Sequence, residues 1–463
     1  MKIDENVLDC IVKEVMNSLE GKSDAGQTGG VFTDVNEAVA AAKKAQRQLF
    51  RMTLADRKKI TDAIRQDLVG HVEELSRMTV EETKMGRLED KIQKNRAALL
   101  NTPGIEDLPT SVFSGDRGLT LLELSPFGVI GSITPSTNPT ETVICNCIGM
   151  ICAGNSVVFS PHPGAYRVTN YTVQLINKAI LKAGGPENLV VTLSEPSLDK
   201  SNQLMKHPDI RMLVATGGPG IVKTVLSSGK KAIGAGAGNP PALVDQTADI
   251  EKAVKNIVAG CCFDNNLPCT SEKEAIVVDE VFEYFVFNMK NHPETYFLED
   301  LSQIEALRKL VVKDGKPNKD YTGKNAAYIL EKIGIQASEK IKLISCVTDF
   351  NHDFVQLELL MPILPIVRAK DREEALEMGL EAEHGNRHTA ICHSKDIDFL
   401  SLTAKEMQTT IFVKNAPSFA GIGIGGEGYT TFTIAGPTGE GLTSTKSYCR
   451  HRRCTLVDGF NIR

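Results

Sequence analysis

Hydrophobic positions in the first third of the chain recur at helical spacing. Val35–Leu49, Leu54–Val69 and His71–Gly86 each show this periodicity and contain few residues that break helices. From Leu119 onward, short β-rich runs alternate with helical segments of about 15 residues, a pattern typical of βαβ units. Such units build a parallel sheet, which binds ligands at the carboxyl ends of its strands. The loops that follow these strands are therefore the first candidates for a functional site.

A second mixed region begins near Asn239 and continues to about Ala435. Its pattern predicts a helix over AVKNIVAGCCF, strands over EAIVV and ILPIVRA, and long helices within 279–335. The tail, TSTKSYCRHRRCTLV, alternates like an edge strand. The chain as a whole thus predicts an α/β protein with two main regions and a short β-strand at its end.

The N-terminal segment differs from both regions. It carries one apolar stripe at helical spacing, formed by Val7, Leu8, Ile11, Val12, Val15, Met16 and Leu19. The next ten residues, GKSDAGQTGG, contain four glycines and no large apolar side chain, which is typical of a flexible linker. A short amphipathic helix cannot bury its own stripe, so it must dock on its own body or on a partner.

Composition excludes several classes of protein. The 463 residues suggest two or three domains at about 150 residues each. A hydrophobic share of 41% argues against global disorder. The formal net charge is −6 and no long basic block occurs, so we expect no nucleic-acid partner.

The sequence also predicts neither membrane insertion nor secretion. The longest apolar stretch, Thr142 to Gly154, is interrupted by Asn146 and is shorter than the ~20 residues of a membrane span. The first residues, MKIDENVLDC, carry acids where a secretory signal would be basic. The eleven cysteines form no CxxC pair, which argues against a zinc site and a disulfide framework. We therefore expect a reducing cytoplasm, no metal, and thiols that are mostly small buried hydrophobes.

Two residues in separate loops are candidates for catalysis. Cys269 follows a proline in the polar loop FDNNLPCTSEKE, where a thiol could be accessible and reactive. Asn138, in ITPSTNPTET, follows a strand and precedes a helix, so its amide could donate to an oxyanion. Each has an ordinary alternative, because the cysteine could be incidental and the asparagine could cap the helix.

Two glycine-rich segments and one acid complete the candidate set. ATGGPG lies between a strand and a helix, where glycines let phosphate oxygens approach backbone N–H groups, although a tight turn explains the pattern equally well. GAGAGNPPALVD brings the backbone close to a ligand or to another segment. Glu358, in ELLMP, precedes an apolar strand, and a surface or N-cap position is its ordinary explanation.

Taken in order, these segments resemble the aldehyde dehydrogenase superfamily from about residue 31 to the C-terminus. The resemblance implies that Cys269 attacks the aldehyde, and that Asn138 and the backbone N–H of Cys269 hold the oxyanion. It also implies that Glu358 binds the nicotinamide ribose. The cofactor-binding residues it assigns are Thr134, Pro135, Ser160, Pro161, His162, Thr216, Gly217, Gly218, Gly220, Gly236 and Glu358.

The sequence departs from hydrolytic members of that superfamily at one telling position. Those members carry a glutamate that activates water, but here the segment reads GAGAGNPP, with Ala235 or its neighbours in place of the acid. Without activated water, a thioacyl enzyme must wait for another nucleophile. The chain therefore resembles the CoA-acylating branch, in particular the propionaldehyde and acetaldehyde dehydrogenases of bacterial microcompartments.

A second departure concerns the cofactor. The lysine that holds the adenosine ribose in the family is missing, since the strand ends Phe159-Ser160-Pro161-His162. The choice of NAD over NADP therefore rests on the resemblance alone. The resemblance implies a function: oxidation of a short-chain aldehyde, with NAD and coenzyme A, to acyl-CoA. The alternatives are an acyl-phosphate-linked or semialdehyde dehydrogenase, and a non-catalytic assembly protein that keeps the fold.

The resemblance also implies an organisation into domains and partners. We expect a Rossmann-type dinucleotide-binding domain, an α/β catalytic domain and a small β oligomerisation flap that makes a dimer or tetramer. The resemblance implies that the N-terminal helix is an encapsulation peptide. Such a peptide would bind a shell protein and place the enzyme inside a cytoplasmic microcompartment. The expected boundaries are 1–20 for the peptide, 21–30 for the linker, 31–107 and 126–236 for the dinucleotide-binding domain, 237–435 for the catalytic domain, and 108–125 with 436–463 for the flap.

Overall fold

The fold was determined as a computed structural model that describes residues 29–462. The predicted amphipathic helix at residues 1–20 lies outside the described residues. Two helices begin and end where the sequence predicts, Val35–Leu49 and Leu54–Val69. The third ends at Thr83, three residues early, because Lys84 adopts a left-handed conformation with φ of 58°. The α-helices of the described chain are Val35–Leu49, Leu54–Val69, Val72–Thr83, Leu88–Asn101, Pro139–Cys152, Tyr166–Lys182, Leu198–Lys206, Pro219–Leu226, Ile250–Cys262, Asp279–Lys290, Leu301–Val311, Ala326–Lys332, Asp353–Gln356, Arg372–Ala382 and Ile397–Met407.

The first sheet has six parallel strands and fits the predicted βαβ pattern. From edge to edge its strands are Val31–Phe32, Val190–Leu193, Ser156–Ser160, Val129–Ile133, Ile210–Thr216 and Lys231–Ala235. Chain order runs outward from Val129–Ile133 to one edge and then returns to its other side. Loops leaving these neighbouring strands separate there, which opens a crevice at the carboxyl ends.

The second sheet has seven strands, and every pair in it is parallel. Its order is Thr295–Leu298, Leu343–Val347, Ile363–Ala369, Glu274–Val278, Pro241–Val244, Thr389–His393 and Ile411–Lys414. The strands predicted over EAIVV and ILPIVRA are confirmed and pair with each other. Region 279–335 is more broken than predicted, because helices of 12, 11 and 7 residues alternate with short strands.

A third sheet is antiparallel and stands apart from the other two. The hairpin Ser111–Gly115 and Gly118–Pro126 pairs with Cys449–Val457, so the edge strand predicted in the tail is confirmed. Most of Cys449–Val457 is exposed. Two small antiparallel pairs complete the sheets, Val312–Lys313 with Lys316–Pro317 and Ile434–Ala435 with Gly441–Leu442. The domain boundaries given above stay a prediction.

One apolar core joins the two parallel sheets. Ile130 and Val214 from the first sheet share a cluster with Val244 and Ile366 from the second. The cysteines of the apolar helix Pro139–Cys152 are buried, as expected of structural thiols. Within residues 29–462 no helix is long and apolar enough to cross a membrane. The same residues contain no group of three His, Cys, Asp or Glu side chains that could hold a metal ion.

Asn155 joins the antiparallel sheet to the first parallel sheet. Its Oδ1 accepts hydrogen bonds from the N–H groups of Phe127 and Gly128, at 2.8 and 2.9 Å. Its Nδ2 donates to the carbonyl of Tyr448 at 2.9 Å. The side chain is fully buried, so water cannot replace these partners.

We expect Asn155→Ala to lower the free energy of unfolding by about 3 kcal/mol, because it leaves three backbone groups without their partner. Urea unfolding followed by circular dichroism measures the change. Asn291→Ala is the matched control, since Asn291 is exposed and its side chain makes one bond, to the carbonyl of Phe287. Equal effects of the two substitutions would contradict the role of Asn155.

Candidate active site

A cleft of about 790 Å³ lies at the carboxyl ends of the first sheet and faces the Cys269 loop. Its walls bring together segments that are far apart in sequence, as the strand order predicts. The predicted site residues that line it are Thr134, Pro135, Asn138, Ser160, Pro161, His162, Thr216, Gly217, Gly218, Gly236, Cys269 and Glu358. Two catalytic candidates and ten cofactor candidates thus share one cavity.

Gly220 is the one candidate that the structure does not bring to the cleft. It is exposed and lies in the first turn of helix Pro219–Leu226. Its neighbours Pro219 and Ile221 do line the cleft, so the first turn of this helix forms part of the wall. Ala235 is also off the cleft, buried at the end of its strand. The neighbours that line the cavity are Gly236 and Ala237, and neither supplies an acid.

The strand ends have the properties of a dinucleotide site. A Cβ added at Gly218 or Gly236 would meet nothing within 4 Å, so these glycines face open space and are not packed against protein. The buried hydroxyl of Thr134 has no hydrogen-bond partner. Unpartnered buried polar atoms and bare backbone fit an anionic or polar ligand better than a protein contact.

The Cys269 loop has an unusual backbone. Asp264, Asn265 and Asn266 all adopt positive φ, at 49°, 55° and 65°. Asp and Asn enter this region more readily than other residues because their short side chains bond nearby backbone. Asn266 donates to the carbonyls of Cys261 and Glu272, and Asn265 to the carbonyl of Gly323. The sequence FDNN therefore sets the path that delivers Cys269 to the cleft.

The surroundings of Cys269 keep its thiol protonated. Part of its surface faces the cleft, but protein atoms crowd the sulfur. Burial raises the pKa of Cys269 to about 12, the charge of Glu358 adds to this shift, and Lys273 opposes it. Burial also raises the pKa of Glu358 to about 7, although the N–H of Gly238 donates to its Oε1 at 3.3 Å. Glu358 is therefore a cleft acid near the thiol, not a surface or N-cap residue.

Sequence reasoning missed Lys273 and His388. Lys273 donates from Nζ to the carbonyl of Asn266 at 3.0 Å and to its Oδ1 at 2.6 Å, which stabilises the loop from behind. His388 is buried, and burial lowers its pKa to about 4, so the imidazole is neutral. It packs beside Gly238. A Cβ added at Gly238 would lie 2.8 Å from the carbonyl oxygen of Cys269, so Gly238 separates the imidazole from the backbone of the nucleophile. The charged segment TSEKE, which directly follows Cys269, is the sequence feature that could have identified Lys273.

Asn138 occupies the N-cap position of helix Pro139–Cys152, yet its side chain caps nothing. Its Oδ1 accepts a hydrogen bond from the ammonium of Lys94, and its Nδ2 bonds Thr137 Oγ1 at 3.3 Å. Lys94 is fully buried, and no motif in its own segment pointed to it. The amide nitrogen is thus left to serve the cleft that Asn138 lines.

Comparisons with known proteins agree with this geometry. The aldehyde dehydrogenase family model matches residues 13–304. A propanal dehydrogenase (CoA-propanoylating) of Citrobacter freundii is 47% identical over 98% of this chain and 99% of its own. A propionaldehyde dehydrogenase of Rhodopseudomonas palustris, solved with bound CoA and an acylated cysteine, is 55% identical with a TM-score of 0.92 over 94% of this chain and 100% of that one.

A third relative comes from a bacterial microcompartment. The propionaldehyde dehydrogenase of the Clostridium phytofermentans fucose utilisation microcompartment is 50% identical. Its TM-score is 0.92, over 94% of this chain and 100% of that structure. The predicted resemblance and the predicted fold class are therefore confirmed. This chain belongs to the aldehyde dehydrogenase family.

Proposed function

We propose that this protein is a CoA-acylating aldehyde dehydrogenase. It converts propionaldehyde or acetaldehyde, with NAD and coenzyme A, to acyl-CoA and NADH through a thioester on Cys269. The observation that carries the proposal is the cleft itself, which joins Cys269 and Asn138 to a wall of bare strand ends and supplies no acid at Gly236 or Ala237. The relatives named above, with CoA-propanoylating activity or an acylated cysteine, support it.

The first half-reaction forms the thioester. The Cys269 thiolate attacks the aldehyde carbonyl, and the amide of Asn138 with the backbone N–H of Cys269 stabilises the resulting oxyanion. Thr134, Ser160, Gly217 and Gly218, at the strand ends, would hold the dinucleotide, and Glu358 would bind its ribose. A bound nicotinamide would supply the acceptor for the hydride that leaves the carbonyl carbon.

The second half-reaction transfers the acyl group to coenzyme A. Among the described residues that line the cleft, the acids are Glu82 and Glu358. The carboxylate of Glu82 already accepts the N–H groups of Arg167 and Val168, at 2.9 and 2.7 Å. Glu358 is assigned to the nicotinamide ribose, so no lining carboxylate is left to activate water, and the thioester waits for the thiolate of CoA. Two half-reactions that share a covalent intermediate give ping-pong kinetics.

We expect aldehyde, NAD and CoA to yield acyl-CoA, and Cys269→Ala to abolish the product. Mass spectrometry of reactions with propionaldehyde and acetaldehyde identifies the product and the preferred chain length. Cys454→Ala is the matched control, because Cys454 is exposed on the antiparallel sheet, away from the cleft. An acyl phosphate formed from added phosphate would favour the alternative dehydrogenase, and turnover by Cys269→Ala would contradict the nucleophile.

The thiol of Cys269 must lose its proton before it can attack. Because its pKa is raised to about 12, the thiolate fraction is small at neutral pH and grows with pH. We expect the rate of alkylation by iodoacetamide, in the protein without ligands, to rise about a hundredfold from ~pH 7 to ~pH 9. Peptide mass spectrometry separates Cys269 from the exposed Cys454.

A cysteine peptide with both ends blocked is the reference for this measurement. A free thiol with a pKa of about 8.5 levels off above ~pH 9, whereas Cys269 continues to rise. A plateau for Cys269 below ~pH 9 would show that the folded protein stabilises the thiolate.

The proposal includes a location inside a microcompartment. Residues 1–20 act as an encapsulation peptide that binds a shell protein through the apolar stripe of Val7, Ile11 and Val15. The microcompartment relative supports this location. The antiparallel sheet acts as an oligomerisation flap, since its strand Cys449–Val457 is long and exposed.

We expect a variant lacking residues 1–20 to keep its activity but to lose co-purification with shells, because the body of the enzyme holds the cleft. Quantitative immunoblotting of purified shells measures the retained fraction. Val7→Glu with Ile11→Glu in the full-length chain is a second variant, which removes the apolar stripe without shortening the protein. Full co-purification of the truncated protein would contradict the role of the peptide.

A further inference from the structure

Four charged side chains form a cluster behind the cleft. Lys91, Lys94, Asp264 and Glu141 are all fully buried, and they balance as two cations and two anions. The ammonium of Lys94 lies 2.5 Å from Asp264 Oδ2 and 3.2 Å from Glu141 Oε1, and that of Lys91 lies 2.8 Å from Asp264 Oδ2. We call these four residues the buried charge cluster. Buried ion pairs cost desolvation energy, so their presence needs an explanation other than stability.

Lys94 also fixes which way the Asn138 amide faces. An ammonium has only donors, so the atom of Asn138 that meets it must be the amide oxygen. The amide nitrogen then points away from Lys94, and Asn138 lines the cleft. Its other contact, with Thr137 Oγ1, is long at 3.3 Å and cannot fix the orientation by itself.

The same ammonium holds the Cys269 loop. Asp264 is the first of the three residues with positive φ that lead to Cys269. Its Oδ1 accepts the N–H of Arg87 at 2.9 Å, so Oδ2 is the oxygen left for the two lysines. Although burial opposes it, the charges of Asp264 and Glu141 keep the pKa of Lys94 above its ordinary value, so Lys94 stays charged.

We infer that Lys94 is a positioning residue for the oxyanion site. It orients the Asn138 amide and, through Asp264, ties that amide to the loop whose N–H is the second donor. Lys94 itself does not line the cleft and touches no substrate. The inference rests on the proposed function, because it assumes that Cys269 forms a thioester through an oxyanion.

Lys91 provides a matched comparison within the same helix. It is equally buried and lies beside the same oxygen of Asp264, although burial lowers the pKa of Lys91 and that of Lys94 is raised. It donates to the carbonyl of Thr137 at 2.6 Å, however, and makes no bond to the Asn138 side chain. Removing either lysine takes one ammonium group away from Asp264. Only the removal of Lys94 also takes away the group that orients the Asn138 amide.

The test compares two charge-balanced variants, Lys94→Met with Glu141→Gln and Lys91→Met with Glu141→Gln, against Glu141→Gln alone. Each double variant keeps one lysine paired with Asp264, so the remaining cluster is neutral. The readout is a ratio of two rates at Cys269, acylation by p-nitrophenyl propionate and alkylation by iodoacetamide. Both reactions need the thiolate, and only acylation develops an oxyanion, so the ratio cancels changes in thiol pKa.

We expect the ratio to fall about a hundredfold in the Lys94 variant and less than about threefold in the Lys91 variant. Asn138→Ala should produce the same fall, and adding Lys94→Met to it should produce almost none further, since the two residues act together. If the Lys94 variant does not fold, Lys94→Arg replaces it, because the charge stays and the longer planar group displaces the amide. A fall of at least about tenfold then supports the inference.

An unchanged ratio in the Lys94 variant would overturn the inference, as would an equal fall in the Lys91 variant. Either result leaves the proposed function intact, because acyl-CoA formation by the unmodified protein does not depend on it. Alkylation of Cys269 without acylation in the unmodified protein would instead overturn the proposed function, and this inference with it.

Discussion

The interaction on which the site depends is the pairing of Asp264 with Lys91 and Lys94. Asp264 begins three residues at positive φ, a backbone path that costs energy at each residue. Burial alone would raise the pKa of Asp264, yet the two ammonium groups hold it below its ordinary value. The carboxylate therefore stays charged and keeps the loop attached to helix Leu88–Asn101. The bonds of Asn266 and Lys273 then hold the rest of the loop as far as Cys269.

The two parallel sheets supply the other half of the site. The strand order of the first sheet separates the loops that follow Val129–Ile133 and its neighbours, and Asn138 follows one of them. The loop with Cys269 precedes strand Glu274–Val278 of the second sheet. One apolar core joins the two sheets. The nucleophile Cys269 and the amide of Asn138, from loops of different sheets, therefore line the same cleft.

Periodicity and local motifs predicted a large part of this arrangement. Helices with one apolar face, such as Val35–Leu49, and short strands, such as Ile363–Ala369, end where the pattern ends. Cys269 and Asn138 were singled out by the order of the loop motifs and the family resemblance that this order carries, and both line the cleft. The buried charge cluster could not be predicted, because Lys94 and Asp264 are 170 residues apart and each resembles a surface residue in its own segment. Gly220, in the first turn of helix Pro219–Leu226, stays a prediction, and its neighbours Pro219 and Ile221 line the cleft.

The two carboxylates among the described cleft residues both have other tasks, which changes what the remaining groups must do. Glu82 is occupied by backbone N–H groups, and Glu358 receives one from Gly238. His388 is neutral, but it is not among the residues that line the cleft. With Glu82 held by backbone and Glu358 assigned to the ribose, no lining carboxylate is left to remove a proton from water. A thiol has a lower pKa than water, so it forms a nucleophilic anion without a base from the protein. A cleft without such a base therefore favours transfer of the acyl group to a thiol over hydrolysis.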